Sequence, residues 1–510
     1  MSFRLEPFAD IGLSAQALTN LLEEHDRSAR PRLARLWSYY RNPETPRLSL
    51  VGEPDGRRRL AQERGLPERL RGRRDGLFDD RAPAREIVIE NDIAWRVHAM
   101  VDFMFGRPIS FLSTAEDAPK REKIQEILET VFEASGGIGL LQDMALLGAV
   151  HGHVALRLRT EGLFGGGALS GGLSGGLSGV VDADRTLELA SRLRVEIVEA
   201  PRGVAALNAS DYRRLDAFVL RAPMPGAAGG AQENTPRGRL LDSIRERMGM
   251  SRRGRDEMLE IVSADWRQVY AGDRLVVDEA NPLGEIPVAH IQNISQPLRY
   301  EGQSEIEPLI PLQDELNTRL SDRANRVTMQ SFKMYLAKGL DGFGDGSAPV
   351  VGPGRVWTTD NPDASMQTFG GDASSPSEDR HIDEIRAAMD KMSSVTPLAA
   401  GVVEARLGNL TSSTALRITL LGLLAKTARK QVTYGRGLGE IAGLILRALD
   451  VAGVFRTNAK ERGVRIQWPE SIPTDEREAL ESARLKLEIG VPRERVLAEL
   501  GYSPTDPGVV

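Results

Sequence analysis

The chain of 510 residues contains no cysteine. This absence excludes disulfides, thiolate metal sites and a cysteine nucleophile in one step. Aromatic residues make up only 5% of the chain, whereas 41% of residues are hydrophobic and 27% are charged. Such a composition is typical of a folded protein that is long enough to bury a sizeable core and to form two or more sub-domains.

Long hydrophobic runs and targeting signals are also missing. No uninterrupted apolar run approaches membrane-spanning length, and the first residues, MSFRLEPFADIG, lack a basic region followed by an apolar core. We therefore expect no signal peptide, no transmembrane helix and synthesis in a cytoplasm. The net charge of −6 argues against a protein that coats nucleic acid. It agrees with one that surrounds DNA loosely, because a mildly repulsive wall lets a polyanion slide.

The chain has little that indicates catalysis. Neither G-K-[ST] nor G-x-G-x-x-G occurs, so a nucleotide-binding enzyme is not expected. The string Gly172 to Gly176 matches G-x-S-x-G, but it lies in a Gly-Gly-Leu-Ser repeat (162–185), and a flexible repeat does not hold the strained turn that a serine nucleophile needs. His151 and His153 share one face of a predicted strand, yet no third ligand lies nearby in the sequence, which favours structural histidines over a metal site. We expect no enzyme, no cofactor and no metal.

Two arginine-rich stretches leave alternatives open. Residues 53–85 mix arginines with acidic residues, so a solvated loop or a subunit contact is favoured over a nucleic-acid patch. Residues 222–258 form an insert in which an exposed loop competes with a contact to DNA or a protein partner.

The stretch from 302 to 340 carries the clearest pattern. Its apolar residues recur at spacings of three and four, which predicts one stripe of an amphipathic helix. The stripe consists of Leu309, Leu312, Leu316, Leu320, Ala324 and Val327. Polar residues are predicted on the opposite side: Asp314, Asn317, Ser321, Asp322 and Asn325.

Two further helices follow this one. Ser375, Pro376 and Glu378 give an N-cap, an N1 proline and an N3 carboxylate, which predicts a second helix from 376. The strings MYLAKGL and GRVWTT predict a small β unit between the two helices. A third helical pattern runs from about 413 to 449, and four glycines from Gly435 to Gly443 predict a bend in its second half. Alternating strings between 193 and 280 predict a β-rich module before the helices.

In this order, the elements resemble those of a tailed-bacteriophage portal protein of the siphophage type. The supporting strings are SYYRNP (38–43), NDIAWRVHAMVDFMFGRPISF (91–111), GEIPVAHIQN (284–293), EIEPLIPLQDELNTRLSD (305–322) and RIQWPESIPTDE (465–476). The resemblance covers about 36–505, and its specificity comes from the order and spacing of the strings.

The resemblance implies an α+β portal fold with a mixed α/β wing, two long stem helices, a small β clip, a long kinked helix and a helical C-terminal crown. The implied domains are the wing (1–303, with inserts 162–185 and 222–258), a stem helix (304–330), the clip (331–375), a second stem helix (376–395), a tunnel loop (396–411), the kinked wing helix with a following strand (412–465) and the crown (466–510).

The resemblance also implies function and partners. The implied function is a ring of subunits, usually twelve, at one capsid vertex, through which double-stranded DNA enters and leaves without sequence specificity. The implied partners are the terminase large subunit, a head-tail adaptor, and the major capsid and scaffold proteins, with the ring in the virion after assembly in the host cytoplasm. Another virion structural protein, such as a scaffold or tail adaptor, and an enzyme of unrecognised type are the alternatives.

Candidate site residues follow from the same resemblance. The tunnel loop would present Val402, Val403, Glu404, Arg406, Leu407 and Asn409 to DNA. The stem would line the channel with Asn317, Ser321, Asp322 and Asn325. The clip would offer Lys338, Asp341 and Arg355 to the terminase. An ordinary connector between two helices is the alternative to a tunnel loop at 396–411.

Overall fold

The computed structural model describes residues 3–48, 54–71, 86–164, 183–223, 257–331, 334–338, 363, 365–369, 375–397, 417–469, 476–493 and 496. Its α-helices are α1 (Ala15–Glu24), α2 (Arg30–Arg41), α3 (Glu68–Arg71), α4 (Asp92–Phe105), α5 (Ala118–Ala134), α6 (Gly137–His151), α7 (Glu161–Phe164), α8 (Ala183–Ala190), α9 (Ile310–Ser331), α10 (Pro376–Ser393), α11 (Leu421–Val451) and α12 (Glu476–Glu488). None of these helices is both long and apolar enough to cross a bilayer.

The strands confirm an α+β fold. They are β1 (Glu44–Leu48), β2 (Pro54–Leu60), β3 (Ser110–Ser113), β4 (His153–Arg159), β5 (Arg194–Glu199), β6 (Gly203–Leu207), β7 (Leu215–Pro223), β8 (Glu257–Val262), β9 (Trp266–Ala271), β10 (Arg274–Ala280), β11 (Val288–Gln292), β12 (Met334–Lys338), β13 (Ser365–Phe369) and β14 (Val464–Gln467). The chain divides into two compact units. Unit 1 comprises 1–40, 93–308 and 393–510, and unit 2 comprises 41–92 and 309–392.

Unit 1 contains three antiparallel sheets. Their strand orders are β10-β9-β8-β7-β6, β11-β4-β5 and β14-β3. Within the predicted β-rich module, the alternating string at 258–272 forms two strands, because Ser263 Oγ accepts hydrogen bonds from the amides of Asp265 and Trp266 and the chain turns between β8 and β9. The N-terminal residues Phe3 and Phe8 share a buried cluster with this sheet.

Helix α11 runs unbroken through its four glycines. At Gly437 a Cβ would lie only 2.2 Å from Ile291 Cγ1 on β11, and at Gly439 it would lie 3.0 Å from the carbonyl oxygen of Val464 on β14. The glycines therefore let the helix approach two strands closely, which is a reason for their presence that the sequence pattern did not indicate. The predicted bend stays a prediction.

Unit 2 contains α9, α10 and two hairpins. Strand β1 pairs with β2, and β12 pairs with β13. The predicted second helix begins at Pro376, directly after Ser375, as expected. The β unit between the helices is present, although the partner of the MYLAK strand is Ser365–Phe369. The predicted strand at GRVWTT lies outside the described residues.

Candidate functional site

A buried ionic cluster lies in unit 1, and one of its lysines, Lys426, contacts Ser393 shortly before the predicted tunnel loop. Glu305 Oε1 accepts a hydrogen bond from Lys430 Nζ at 2.6 Å, and Oε2 accepts one from Lys426 Nζ at 2.6 Å. The side chain of Lys430 is fully buried, and those of Glu305 and Lys426 are 5% and 11% exposed. We call these three residues the ionic node.

The node contains two basic side chains and only one acidic side chain. Burial alone would raise the pKa of Glu305, but the ammonium groups of Lys430 and Lys426 outweigh burial and lower that pKa to about 2. Burial lowers the pKa of Lys430, and the Glu305 carboxylate opposes this shift. Because two ammonium groups share one carboxylate, Glu305 is the residue on which the charge balance of the node depends.

Glu305 is fixed by backbone and amide contacts as well. Its amide donates to the Ala149 carbonyl oxygen at 2.9 Å, and the preceding Ser304 Oγ donates to the Val150 carbonyl oxygen at 2.6 Å. Tyr434 of α11 donates to Asn293 Oδ1 at 3.0 Å. The first two bonds hold the backbone of 304–305 against the end of α6, and the third joins α11 to the residue after β11, so the backbone position of Glu305 does not depend on the ion pairs alone.

The segment after α10 is held from two sides. Lys426 Nζ of the node also donates to the Ser393 carbonyl oxygen at 2.8 Å. Arg96 of α4 donates to Ser393 Oγ at 3.2 Å and to the Val395 carbonyl oxygen at 2.7 Å. Val395 is buried in a cluster that includes Leu423 of α11. Val395 and Leu423 lie on opposite sides of 398–416 in the sequence, so the residues that flank this stretch meet in one apolar cluster.

Val402, Val403, Glu404, Arg406, Leu407 and Asn409 lie outside the described residues, as do Asp341 and Arg355 of the predicted clip. Lys338 is the last residue of β12, opposite Ser365. The inserts 162–185 and 222–258 also lie mostly outside the described residues.

The predicted stem residues of α9 take part in a regular set of hydrogen bonds within unit 2. Four polar side chains, spaced by four residues along α9, contact every second residue of the extended segment 86–92. Asn325 pairs with the backbone of Glu86, Ser321 with Val88, Asn317 with Glu90, and Gln313 with Asp92 and Glu90. The distances range from 2.6 Å for Gln313 to Glu90 up to 3.2 Å for Ser321 to Val88. We call this arrangement the polar ladder.

The ladder has a simple geometric basis. Four residues of α-helix rise about 6 Å, and two residues of extended chain span about 6.6 Å. A helix can therefore match every fourth side chain to every second backbone group. Asn317 and Ser321 are fully buried by these contacts. This corrects the expectation that the polar side of α9 is its outer side, and it leaves these two side chains no exposed surface with which to line a channel in this conformation.

Asp322 and Asn325 retain some exposure. Asp322 Oδ2 lies 2.6 Å from Arg69 Nη2 and 3.4 Å from Arg319 Nη1. A role in lining a channel stays a prediction for both residues.

His151 is the last residue of α6 and His153 the first of β4, so the two histidines do not share one face of a strand as predicted. Both are buried but incompletely hydrogen-bonded. His151, His153 and His290 each have an Nδ1 atom with no hydrogen-bond partner in the part of the chain that the structure describes. His290 donates through Nε2 to the Tyr300 carbonyl oxygen at 2.7 Å and stacks on the Tyr300 ring. Burial lowers the pKa of His151 and of His290 to about 4. Among the described residues, no group of three potential ligands is arranged to hold a metal ion.

The ionic node was not predicted, although α11 carries one sequence signal for it. Leu423, Thr427, Lys430, Tyr434 and Leu438 follow each other at spacings of three and four on the buried side of α11. A lysine in such a register needs a buried carboxylate as partner. The sequence does not indicate which carboxylate that is, because Glu305 is distant along the chain.

Residues 261–501 match the family described as phage portal protein, SPP1 Gp6-like. The predicted resemblance to a phage portal protein is therefore confirmed for 261–501. This matched region is similar to SPP1 Gp6-like portal proteins, and it includes the node, α9, α10 and α11.

No curated protein matches the chain. Three solved structures contain similar chains. A chain in "Virion of native gene transfer agent (GTA) particle" is 12% identical, with a TM-score of 0.41, and the match covers 80% of this chain and 89% of that one. A chain in "Neck of native GTA particle computed with C12 symmetry" is 14% identical, with a TM-score of 0.39 and the same coverages. A chain in "Neck of empty GTA particle computed with C6 symmetry" is 13% identical, with a TM-score of 0.42, and covers 80% and 90%.

Proposed function

We propose that the chain is the subunit of a portal ring of twelve copies at one vertex of a capsid, and that double-stranded DNA passes through the ring during packaging and ejection. The observation that carries this proposal is the match of 261–501 to the portal family. A ring needs head-to-tail contacts between copies. Such contacts form a closed ring when a whole number of the rotations between neighbouring copies adds up to one full turn.

The proposed role of the ionic node is to anchor the tunnel loop. Lys426 and Arg96 bind the chain just before 398–416, and Leu423 packs against Val395 from the other side of this stretch. With both flanks fixed, residues 396–411 would contact the duplex while their attachment points stay in place. Val402, Val403 and Leu407 would give this loop a surface without strong phosphate binding, and Glu404, Arg406 and Asn409 would be its polar members.

The remaining roles concern partners. We assign the clip (331–375), with Lys338, Asp341 and Arg355, to docking of the terminase large subunit and later of a head-tail adaptor. We assign the crown (466–510) to the capsid interior, and the wing (1–303) to contacts with the capsid and scaffold proteins. Asp322 and Asn325 are the proposed channel residues of the stem. The action is mechanical and electrostatic, with no covalent step, and the mature location is the virion.

The first experiment is negative-stain electron microscopy of the purified full-length chain, with mass photometry on the same sample. Rings with a central hole and a mass near twelve subunits are the expected result. A compact monomer or a pore-free oligomer over a range of salt and protein concentrations would contradict the ring. A pore-free oligomer would favour a scaffold or adaptor, and turnover of nucleotide, ester or DNA would favour an enzyme.

A further inference from the structure

An apolar groove opens on unit 1 between the segment after α4 and the facing ends of α5 and α6. Its volume is about 400 Å³, within the range of pockets that accept ligand groups. Its apolar lining consists of Pro108, Ile109, Phe111, Phe132, Ile138 and Leu141. Glu129 and Glu133 lie at its rim, one turn apart on α5, and both are exposed. Neither carboxylate forms an ion pair with another described residue.

The outer side of α11 has the complementary character. Val432 is 63% exposed, and Leu421 is 64% exposed further along the same side. Arg429 and Arg436 are exposed and flank Val432, three residues before it and four after it. Within the described ranges neither arginine forms an ion pair, although Glu440 lies one turn beyond Arg436. We call Arg429, Val432 and Arg436 the α11 ridge.

We propose that the groove of one copy receives the α11 ridge of a second copy, with Val432 in the groove and the two arginines on Glu129 and Glu133. The inference rests on the proposed ring and names one of its contacts. The arginines are about 10 Å apart along their helix and the carboxylates about 6 Å apart along theirs, a difference that long arginine side chains span. Apolar surface meets apolar surface, and unpaired charges of opposite sign meet at the rim.

Groove and ridge are different patches of one chain. A contact between them is therefore heterologous, and repeating it produces a ring or an open helix rather than a closed dimer. DNA is the other candidate for a basic ridge, but it would leave the acidic groove without an occupant.

The test uses three charge-reversed forms of the full-length chain. The groove variant is Glu129→Arg with Glu133→Arg, the ridge variant is Arg429→Glu with Arg436→Glu, and the third form carries all four changes. Each of the first two brings like charges together at every contact, so we expect association to weaken at least about tenfold and rings to be lost at micromolar concentration. A mixture of the two variants, and the four-fold form alone, restore opposite charges at every contact and should recover rings.

The matched control is Glu116→Arg with Glu122→Arg, which makes the same charge change near the other end of α5 and should leave rings intact. The proposal would be overturned if either the groove variant or the ridge variant still formed rings. It would also be overturned if both variants lost rings and neither their mixture nor the four-fold form recovered them. Ring formation by the ridge variant together with loss of DNA binding would assign the ridge to DNA instead. A wild-type chain that forms no ring would overturn the proposed function and this inference together.

Discussion

The carboxylate of Glu305 and the ammonium of Lys430 lie 2.6 Å apart in the interior of unit 1, at a position where Lys430 has no solvent exposure. The pair joins the segment that precedes α9 to the middle of α11. Lys426 shares the same carboxylate and binds the chain after α10. The segment before α9, Ser393 and the middle of α11, all within unit 1, are therefore joined through one glutamate.

Glu305→Gln should destabilise unit 1 more than Lys430→Met. The first change leaves two buried ammonium groups without a carboxylate and should cost about 3–5 kcal/mol, whereas the second leaves one matched pair, Glu305 with Lys426. The free energy of unfolding in urea, followed by tryptophan fluorescence, measures both. Glu307→Gln is the control, because Glu307 makes an exposed ion pair with Arg32 and should cost less than about 1 kcal/mol. Equal losses for Glu305→Gln and Lys430→Met would contradict this account of the node.

Acid should destabilise unit 1 through its buried histidines. The pKa values of His151 and His290 are lowered from 6.5 to about 4 in the folded chain, so the unfolded chain binds more protons between these limits. The stabilisation that comes from the two neutral histidines is therefore complete above about pH 6.5. As the pH drops toward 4, the free energy of unfolding falls by about 3 kcal/mol for each histidine. Below about pH 4.5 Glu305 adds to the decline, because its carboxylate binds a proton near pH 4.5 in the unfolded chain but has a pKa of about 2 in the folded one.

The measurement for the histidines is the urea midpoint from pH 8 to pH 4.5, in wild type and in His290→Gln. The variant removes one titrating group while its amide can still donate to the Tyr300 carbonyl. We expect a flatter pH dependence in the variant and parallel curves above pH 6.5. The same slope in both proteins would show that His290 does not contribute.

The polar ladder should hold segment 86–92 against α9 chiefly through its buried members. Asn317→Ala leaves the buried amide of Glu90 and Oε1 of Gln62 without their partner, at a cost of about 1–3 kcal/mol. Asn325→Ala, at the more exposed end, should cost less. Hydrogen exchange of peptides covering 86–92 should accelerate at Glu90 in the first variant and only near Glu86 in the second. Uniform protection in both variants would mean that the ladder adds no local stability.

Charge reversal in the proposed tunnel loop should slow or stall packaging. Glu404→Lys places an added cation on every subunit of a ring, where it would bind phosphates by counterion release and hold the duplex. The rate and the packaged DNA length in a reaction with the cognate motor are the measurements. Glu404→Gln, which removes charge without adding a cation, should have the smaller effect. Unchanged rate and length in Glu404→Lys would refute the proposed DNA contact.

Deletion of residues 165–179 should leave ring assembly intact. The Gly-Gly-Leu-Ser repeat cannot bury enough apolar surface to offset the entropy of ordering it, so no subunit contact is expected to depend on it. Electron microscopy of the deleted chain, beside wild type at equal concentration, is the measurement. Loss of rings with an unchanged melting temperature would give the repeat an assembly role.

The sequence by itself determined the helices, most strands and the portal resemblance. Spacings of three and four, a serine followed by proline at 375 and 376, and alternating strings each depend on neighbouring residues, so they can be recognised without knowledge of the tertiary structure. For the same reason, the order of these elements indicated the portal family before any contact was known.

Only the tertiary structure decided which polar groups are buried. The pattern of polar residues alone predicts that Asn317 and Ser321 are exposed, because burying a polar side chain without a hydrogen-bond partner costs free energy. Here the backbone of a segment from a distant part of the chain satisfies both side chains. Likewise, Lys430 is buried because Glu305 meets it from another element. In both cases the hydrogen-bond partner of the buried group lies far away in the sequence, so a pattern of neighbouring residues does not reveal it.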